Sequence, residues 1–335
     1  MAFIAGRTHA VFPIADASRV GEARRHAASL AARCGFDETL AGRLAIVVTE
    51  LGTNLFRHAQ DGRMLLAASG DEVEVIAIDR GPGIADVRRS VADGFSTGGT
   101  PGTGLGAVKR LSTDFDLHSV PGEGTLIVAR LRVGAKPPAH DEPLCIAGIA
   151  TCAPGEFVCG DSWAARTEGD RATVILADGL GHGEAAAEAS RDAVEVFRTG
   201  LPASPRSLLE QAHVALRTTR GAAVAIFHAD RAAGKFNYAG AGNVVSRAVS
   251  GTSDRTLLTQ HGTAGLQMRR PEEATADWPP HAVLVMHSDG IEARWTPQRI
   301  VPLLGRDPAL IAAVLMRDHC RGRDDATVVV VAARK

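Results

Sequence analysis

The sequence predicts an α+β protein of two domains, and three observations support this prediction. The 335 residues exceed the ~100–200 residues of a typical single domain. Segments with helix-type spacing of apolar residues alternate with short apolar runs that end in glycine and polar turns. The proline-rich segment GAKPPAHDEP, at 134–143, lies between two such regions and is typical of an extended linker. We therefore predict a first domain at 1–134, a linker at 135–143 and a second domain at 144–335.

The composition is typical of a cytoplasmic protein that binds neither nucleic acid nor membrane. Lys and Arg number 37 against 38 Asp and Glu, so there is no basic field for nucleic acid. No apolar run approaches the ~18 residues that cross a bilayer, and the N-terminus lacks the apolar core of a signal peptide. Five cysteines, an odd number, favour reduced thiols over a disulfide framework. The spacing of Cys152 and Cys159 does not fit a zinc knuckle, so both are interpreted as small core residues.

The first domain is predicted to begin with a strand and two helices. A strand near 9–13 precedes Asp16, which is placed to cap a helix that runs to about residue 33. In a second helix, from about 37 to 58, the apolar residues are spaced by three and four: Leu40, Leu44, Val47, Val48, Leu51 and Leu55. Strands are then expected at 64–69, 73–78 and 125–133, with a helix at 107–111.

Three motifs in the first domain point to a ligand. Glu50 and Asn54 lie four residues apart outside the apolar stripe, which by itself indicates only a solvated polar face. The next motif, DRGPGI at 79–84, places two glycines around a proline, a pattern that brings backbone close to a ligand. The run GTGLG at 102–106 leads into a helix, where unpaired N–H groups attract anions. Their order within one domain predicts a phosphate-binding site rather than a slack loop.

This order of motifs resembles the GHKL ATPase superfamily, and more narrowly the RsbT-type serine kinases of the anti-sigma-factor group. ELGTNLFRHA, DRGPGI, DGFSTGG, GLGAVKRLSTDF and HSVPGEGT carry the resemblance over nearly the whole first domain. It implies a Bergerat α/β sandwich that binds ATP and Mg²⁺. It also implies that Asp79 binds the adenine amino group, Asn54 holds Mg²⁺ and Glu50 is the base for the attacking serine. The other residues that it implies around the nucleotide are Gly81, Gly83, Gly102, Thr103, Gly104, Leu105, Gly106, Lys109 and Thr125.

The second domain is predicted to be α+β with mostly antiparallel strands. Short apolar runs alternate with polar turns, and three helical segments interrupt them. Strands are expected at 144–151, 172–177, 222–228, 235–239, 282–287 and 326–332, and helices at 184–198, 205–217 and 308–318.

Acidic residues stand at the ends of apolar strands at four places in this domain: Gly160-Asp161, Asp178-Gly179, Asp289-Gly290 and Asp324-Asp325. Asp-Gly is an ordinary turn dipeptide, so one such pair would indicate only a turn. Four of them predict carboxylates that converge on hard divalent cations, Mg²⁺ or Mn²⁺ rather than zinc. Two such ions can lower the pKa of a water and position a phosphate for attack.

These motifs resemble the metal-dependent PPM (type 2C) protein phosphatases, in their bacterial SpoIIE and RsbX-like branch, from Gly160 to the end of the chain. The resemblance implies an α-β-β-α sandwich in which Asp178 bridges two metals. The further ligands that it implies are Asp161, the carbonyl of Gly179, Asp289 and Asp324. Asp325 stands where many relatives have Asn and is expected to support the ligands.

The proton donor of this domain has two interpretations. Eukaryotic members of the resembled family have a histidine in D-G-H-G as the proposed general acid, and Leu180 occupies that position here. His182, two residues on, is a candidate donor to the leaving serine, as in the bacterial branch. It could equally be a turn residue that caps the helix starting at Glu184, and both interpretations stay open.

The two resemblances together imply a partner-switching regulator, with a kinase and a phosphatase that act on STAS-domain proteins of the stressosome scaffold or anti-anti-sigma type. The acceptor is expected on another protein, because the residues before Glu50 leave no room for the phosphoacceptor hairpin of a histidine kinase. An alternative is an ATP-binding module that serves as a signalling or anti-sigma surface for a downstream phosphatase or sigma-factor regulator. In that case the phosphatase would be the only enzyme, but a pure binding module has no need of Glu50. A sigma-binding RsbW-like factor is disfavoured because the glycine loop resembles that of the switch kinases.

Overall fold

The computed structural model describes residues 2–91, 104–134, 143–200 and 203–334. Its elements in chain order are β1 (Ala2–Ala5), β2 (Ala10–Pro13), α1 (Ala17–Arg33), α2 (Glu38–His58), β3 (Arg63–Ser69), β4 (Glu72–Ile78), α3 (Val87–Val91), α4 (Leu105–Leu111), β5 (Asp114–Val120), β6 (Gly124–Arg132), β7 (Leu144–Thr151), β8 (Asp161–Glu168), β9 (Arg171–Gly179), α5 (Glu184–Thr199), α6 (Pro205–Ala215), β10 (Ala222–Asp230), β11 (Lys235–Ala241), β12 (Val245–Val249), β13 (Asp254–Leu257), β14 (Ala274–Asp277), β15 (Val283–His287), α7 (Pro308–His319) and β16 (Ala326–Ala333). Within these ranges no helix is both long enough and apolar enough to cross a membrane. The α+β class is confirmed.

The chain divides into two compact units. The N-unit is His9–His140, and the C-unit combines Met1–Thr8 with Asp141–Lys335. The first eight residues therefore belong with the second unit, whereas the predicted first domain began at residue 1. The sequence of the N-unit is inserted between the first strand of the C-unit and the rest of it.

β1 belongs to the C-unit because it pairs antiparallel with β8. The N–H of Gly6 continues this ladder by donating to the carbonyl of Trp163 at 2.9 Å. The ring of Phe3 lies 6.3 Å from that of Phe197 on α5, and Ile4 packs against the apolar core of the C-unit. β1 is a short strand without a clear alternation of buried and exposed side chains, and it pairs with the edge of β8.

The N-unit is one sheet covered by helices. The sheet has the strand order β2-β3-β4-β6-β5 with antiparallel neighbours. α2 buries the predicted stripe, including Leu44, Val47 and Leu51, in the core that it shares with α1, α4 and the sheet. Asp16 caps α1 as predicted, since its carboxylate accepts from the N–H groups of the first turn.

The C-unit is a sandwich of two sheets, here called sheet A (β1-β8-β9-β10-β11-β14) and sheet B (β13-β12-β15-β16-β7). The core between them includes Trp163, Phe227 and Met286. A second core, with Phe197 and Leu209, joins sheet A to α5 and α6. α7 packs on β7 and β16 of sheet B. This layering is the predicted α-β-β-α sandwich.

Six strands of the described residues were not predicted: β1, β5, β8, β12, β13 and β14. β1, β5, β13 and β14 lie at sheet edges. An edge strand is partly solvated, so it needs no continuous apolar run. β8 is an interior strand of sheet A, but its sequence DSWAARTE begins and ends with charged residues.

Gly6→Ala should weaken the attachment of β1. A Cβ at Gly6 would lie 2.3 Å from the carbonyl oxygen of Trp163, so strand and partner must separate. We expect the free energy of unfolding of the C-unit to fall by ~1–3 kcal/mol. Urea unfolding followed by tryptophan fluorescence measures it, because all three tryptophans lie in the C-unit.

Gly251→Ala is the matched control for this experiment. A Cβ at Gly251 would meet no atom within 4 Å, so its effect should stay within ~0.5 kcal/mol. Equal midpoints for the two variants would show that β1 does not stabilise sheet A.

Candidate active sites

A cavity of about 470 Å³ opens in the N-unit between α2, α3 and the ends of β4 and β6. Residues predicted for the nucleotide site line it: Asn54, Asp79, Gly83, Gly104, Leu105 and Thr125. Leu51, Ala77, Ile84 and Ile127 supply apolar wall. Of the other predicted residues, Glu50, Gly81, Gly106 and Lys109 are not in the described lining, and Gly102 and Thr103 lie outside the described residues.

The carboxylate of Asp79 is fixed at the cavity wall by backbone groups. Its Oδ1 accepts from the N–H of Gly81 at 2.6 Å and from that of Thr125 at 3.2 Å. The backbone N–H of Asp79 in turn donates to the carbonyl of Thr125 at 3.0 Å. The end of β4 is thereby tied to the start of β6, and the carboxylate is oriented before any ligand arrives.

The turn that follows Asp79 is held by Ser119, which the sequence analysis did not single out. Its Oγ accepts from the N–H of Ile84 at 2.8 Å and lies 2.9 Å from Oγ1 of Thr125. Gly83 has a φ of +72°, and a Cβ there would lie 2.3 Å from the carbonyl oxygen of Val120. The motif HSVPGEGT, which contains Ser119 and Val120, is the only sequence signal that relates this segment to the turn after Asp79.

Glu50 and Asn54 occupy successive turns of α2, and both are half-buried. Leu51 and Leu55 beside them are buried in the core, so the helix that carries the pair is firmly packed. A cavity with an apolar wall, the fixed carboxylate of Asp79, the carboxamide of Asn54 and further polar side chains at Asp86 and Arg89 suits a planar base with a polar tail.

In the C-unit, Asp161 opens β8 and lies directly opposite Asp178 on β9. Asp289 follows β15, and Asp324 stands just before β16 on the neighbouring strand of sheet B. Charge interactions link the four: those of Asp161, Asp289 and Asp324 all act on Asp178. The four aspartates are therefore close enough for their charges to act on Asp178, and their convergence on metal ions stays a prediction.

Burial and mutual repulsion raise the pKa values of three of these carboxyl groups, those of Asp161, Asp178 and Asp289. Burial, then the charges of Asp161 and Asp289, raises the pKa of Asp178 to about 9. Burial also raises the pKa of Asp161 to about 7, although its hydrogen bond from Ser288 acts in the opposite direction. The pKa of Asp289 is raised by burial and by the nearby charge of Asp324.

Polar neighbours orient two of the aspartates, and sequence reasoning missed both of these neighbours. The Oγ of Ser288 donates to Oδ2 of Asp161 at 2.6 Å and accepts from the N–H of Thr327 at 3.0 Å. The amide of Asn243 donates to Oδ2 of Asp289 at 2.7 Å. Ser288 sits in HSDG beside a predicted ligand, whereas Asn243 lies on a distant turn that carries no such signal.

Asp325 has a supporting position, in line with its expected role. Its two carboxylate oxygens accept from the N–H groups of Ala153, at 2.8 Å, and Gly160, at 2.9 Å. It thereby holds the segment between β7 and β8 against the start of β16.

The imidazole of His182 is exposed, and its Nδ1 lies 2.6 Å from Oε1 of Glu156. The N-cap of α5 is Gly183, and no side chain caps that helix. The interpretation of His182 as a helix-capping residue is therefore wrong. Its role as a proton donor stays a prediction.

The aspartate cluster fits divalent cations. Oδ2 of Asp178 is buried without a hydrogen-bond partner among the described residues. A buried carboxylate oxygen with no donor, surrounded by other carboxylates, is unfavourable unless a cation balances the charge. An all-oxygen donor set favours Mg²⁺ or Mn²⁺. Asp161, Asp178, Asp289 and Asp324 are the side chains that would hold these ions.

The N-unit is similar to known ATPase and kinase domains. The family profile of the histidine kinase-like ATPase domain matches residues 14–131. The serine/threonine-protein kinase RsbT of Bacillus subtilis (strain 168) is 40% identical over 111 residues, which cover 32% of this chain and 84% of RsbT.

The C-unit matches the family profile of stage II sporulation protein E (SpoIIE) at residues 168–334. Phosphoserine phosphatase RsbX of B. subtilis (strain 168) is 26% identical over 139 residues, 41% of this chain and 69% of RsbX. The chain is a fusion of an RsbT-family ATPase domain and a SpoIIE-family phosphatase domain. The RsbT-family domain contains the cavity, and the SpoIIE-family domain contains the aspartate cluster.

Solved structures agree with the fold of the SpoIIE-family domain. A chain from a structure of the bacterial stressosome is 25% identical and covers 57% of this fusion and all of that chain, with a TM-score of 0.52. The crystal structure of RsbX with magnesium, at 22% identity, covers 57% of the fusion and 95% of RsbX with the same TM-score of 0.52.

Asp79→Asn should weaken ATP binding by at least about tenfold, because a hydrogen bond to a charged acceptor contributes ~1.5–3 kcal/mol. Asn keeps an oxygen for the N–H of Gly81, so the turn should persist. Calorimetric titration with ATP measures the affinity, and Asp71→Asn on the exposed turn before β4 is the matched control. Unchanged affinity in Asp79→Asn would remove the adenine-binding role.

Asp178→Asn should remove most of the stabilisation by divalent cations. Excess Mn²⁺ should raise the wild-type melting temperature of the C-unit by ~5–10 °C, since ligand at 100 times its Kd adds ~2.7 kcal/mol. In chelator at neutral pH, the variant should melt above wild type, because folding raises the pKa of Asp178 to about 9 and so must protonate a carboxylate that is ionised in the unfolded chain, a cost that Asn avoids. Tryptophan fluorescence follows both transitions, with exposed Asp277→Asn as control. Equal Mn²⁺ shifts in wild type and Asp178→Asn would contradict the assignment.

Proposed function

We propose that this protein is a bifunctional partner-switching regulator. Its RsbT-family domain phosphorylates a serine or threonine of a STAS-domain protein, and its SpoIIE-family domain hydrolyses phosphoserine or phosphothreonine on such a protein. One observation carries the proposal: the same chain contains a cavity lined by Asn54 and Asp79, and a cluster of partly buried aspartates around Asp178. These are the two halves of a reversible phosphorylation cycle. The names of the relatives, a kinase and a phosphoserine phosphatase, support it.

In the kinase reaction, the hydroxyl oxygen of the acceptor attacks the γ-phosphorus of ATP, and the bond to the β-phosphate oxygen breaks to release ADP. Glu50 receives the proton of that hydroxyl, and Asp79 holds the adenine. Asn54, one helical turn from Glu50, would hold the Mg²⁺ that accompanies ATP. Phosphoryl transfer asks the protein mainly for positioning and charge balance, and a packed helix that carries both side chains supplies the positioning.

In the phosphatase reaction, a water oxygen attacks phosphorus and the serine oxygen leaves. Asp161, Asp178, Asp289 and Asp324 would hold the divalent cations, which would neutralise charge on the phosphate and lower the pKa of the attacking water. A protonated His182 that donates Nδ1–H to Glu156 keeps a second N–H on Nε2 for the leaving serine oxygen. Glu156 thus orients the ring.

Glu50→Gln tests the kinase half. Asp178→Asn is introduced into every protein used, so that hydrolysis does not remove the label. With γ-labelled ATP and a purified STAS-domain protein, we expect Glu50→Gln to lower label transfer by ~10²–10⁴ while ATP affinity is unchanged. Glu38→Gln, in the first turn of the same helix, should transfer label normally.

The outcomes separate the two candidate functions. Label transfer at the same rate with Glu50→Gln would exclude Glu50 as the base. No transfer from any variant, together with intact ATP binding, would favour the ATP-binding module with the phosphatase as the only enzyme.

A further inference from the structure

Cys152 and Cys159 form a cluster with Asp325 in the C-unit. The two Sγ atoms and a carboxylate oxygen of Asp325 all lie within 4.8 Å of one another. Cys159 and Asp325 are buried, and Cys152 is partly exposed. Cys159 belongs to the apolar core between the two sheets and Cys152 packs against that core, as the interpretation of both thiols as small core residues expects, but Cys152 keeps a partly exposed surface.

The backbone explains why the three side chains meet. Thr151, the last residue of β7, lies opposite Ala326, the first residue of β16. Cys152 and Asp325 are the next residues outward on these two strands, so the ladder places them side by side. The segment from 152 to 159 then returns to the start of β8.

Asp325 is oriented in the way that metal-binding carboxylates usually are. Each of its oxygens accepts one backbone N–H, from Ala153 and from Gly160, the residues that directly follow the two cysteines. A carboxylate oxygen has two lone pairs, so each can accept an N–H and still bind a cation. Such hydrogen bonds from outside the donor set are typical of metal sites.

We propose that Cys152, Cys159 and Asp325 form a binding site for one thiophilic divalent cation of the Zn²⁺ class. Zn–S bonds of ~2.3 Å and Zn–O bonds of ~2.0–2.2 Å in a tetrahedron set the donors about 3.5–4 Å apart. Donors within 4.8 Å reach that spacing by small side-chain rotations. The fourth position is left for water, and the partial exposure of Cys152 provides access.

The chemistry of the donors separates this site from the neighbouring aspartate cluster. Two thiolates select soft or borderline ions and disfavour Mg²⁺ and Mn²⁺, whereas an all-oxygen cluster does the reverse. The same short stretch of sequence, from Cys159 to Asp161, thus belongs to two sites of different metal preference. The bound ion would hold the 152–159 segment, which carries Glu156, the partner of His182.

Co²⁺ tests the site spectroscopically. A thiolate-to-cobalt charge-transfer band in the near ultraviolet requires a sulfur ligand, so the aspartate cluster cannot produce it. Co²⁺ is titrated into the reduced, oxygen-free full chain in excess Mg²⁺. We expect one Co²⁺ per chain to give the band, and Zn²⁺ to abolish it by displacement.

Variants assign the band to residues. Cys152→Ser and Cys159→Ser should each reduce the band by at least about half or remove it, because one of two thiolates is lost. Asp325→Asn should weaken Co²⁺ binding by at least ~10-fold with the band retained. Asp178→Asn, in the other metal cluster, and Cys320→Ser, outside both, should leave the band unchanged. Tryptophan fluorescence checks that each variant is folded.

Three results would overturn the proposal. The first is no charge-transfer band from the wild-type chain, and the second is a band of full intensity in both Cys152→Ser and Cys159→Ser. The third is closure of a Cys152–Cys159 disulfide when the chain is exposed to air in excess Zn²⁺, seen by mass spectrometry as two lost thiols and the loss of two hydrogens. That result would assign the pair to thiol oxidation instead.

Discussion

The architecture of the C-unit depends on bringing like charges together where two sheets meet. Sheet A contributes Asp161 and Asp178, and sheet B contributes Asp289 and Asp324 from the ends of β15 and β16. Without cations this arrangement is unfavourable, as the raised pKa of Asp178 shows. Other interactions must therefore hold the backbone around the aspartates. The hydrogen-bond ladders of both sheets do so, together with the hydrogen bonds of Ser288 to Asp161 and of Asn243 to Asp289. Asp325 adds two more, by accepting from two backbone N–H groups.

The N-unit meets a different constraint, because its ligand site needs one acceptor rather than a cluster. The carboxylate of Asp79 accepts from two backbone N–H groups, which stabilise its charge where it faces the partly apolar cavity. This arrangement requires separate segments of the chain, at Asp79, Ser119 and Thr125, to meet at the carboxylate of Asp79 and the turn that follows it. Ser119 and the left-handed Gly83 fix that convergence. The two candidate sites thus differ in their electrostatics: backbone N–H donors stabilise the carboxylate of Asp79 in the N-unit, whereas carboxylates repel one another in the C-unit.

Sequence reasoning predicted what local patterns determine. The apolar stripe of α2, the cap at Asp16 and the sandwich class of each unit depend on spacing and on neighbours in the chain, and these predictions are confirmed. Non-local contacts were missed. β1 is four residues of an edge strand whose assignment depends on β8, more than 150 positions away. The sequence offers a turn or, for Gly179, a carbonyl ligand as the reason for the glycines beside the aspartates, yet a Cβ at Gly179 or Gly290 would lie 2.0 or 1.9 Å from a carbonyl oxygen. Close packing requires them, and no dipeptide pattern reveals that.

The proposed kinase and phosphatase activities on one chain would oppose each other if both acted freely. Transfer of a phosphoryl group to a serine, followed by its hydrolysis, amounts to ATP hydrolysis, so uncontrolled action on one phosphosite would only consume ATP. The two proposed activities must therefore use different phosphosites or respond to opposite signals. The structure permits separate control, because Asp79 and Glu50 lie in one compact unit and the aspartate cluster in the other. Within the C-unit, the segment 152–159 contacts residues of both candidate sites. The N–H of Ala153 donates to Asp325, and Glu156 contacts His182. If His182 is the proton donor as proposed, a change confined to that segment would alter the proposed hydrolysis and leave the residues of the nucleotide cavity unchanged, so one of two opposing activities could be controlled without the other.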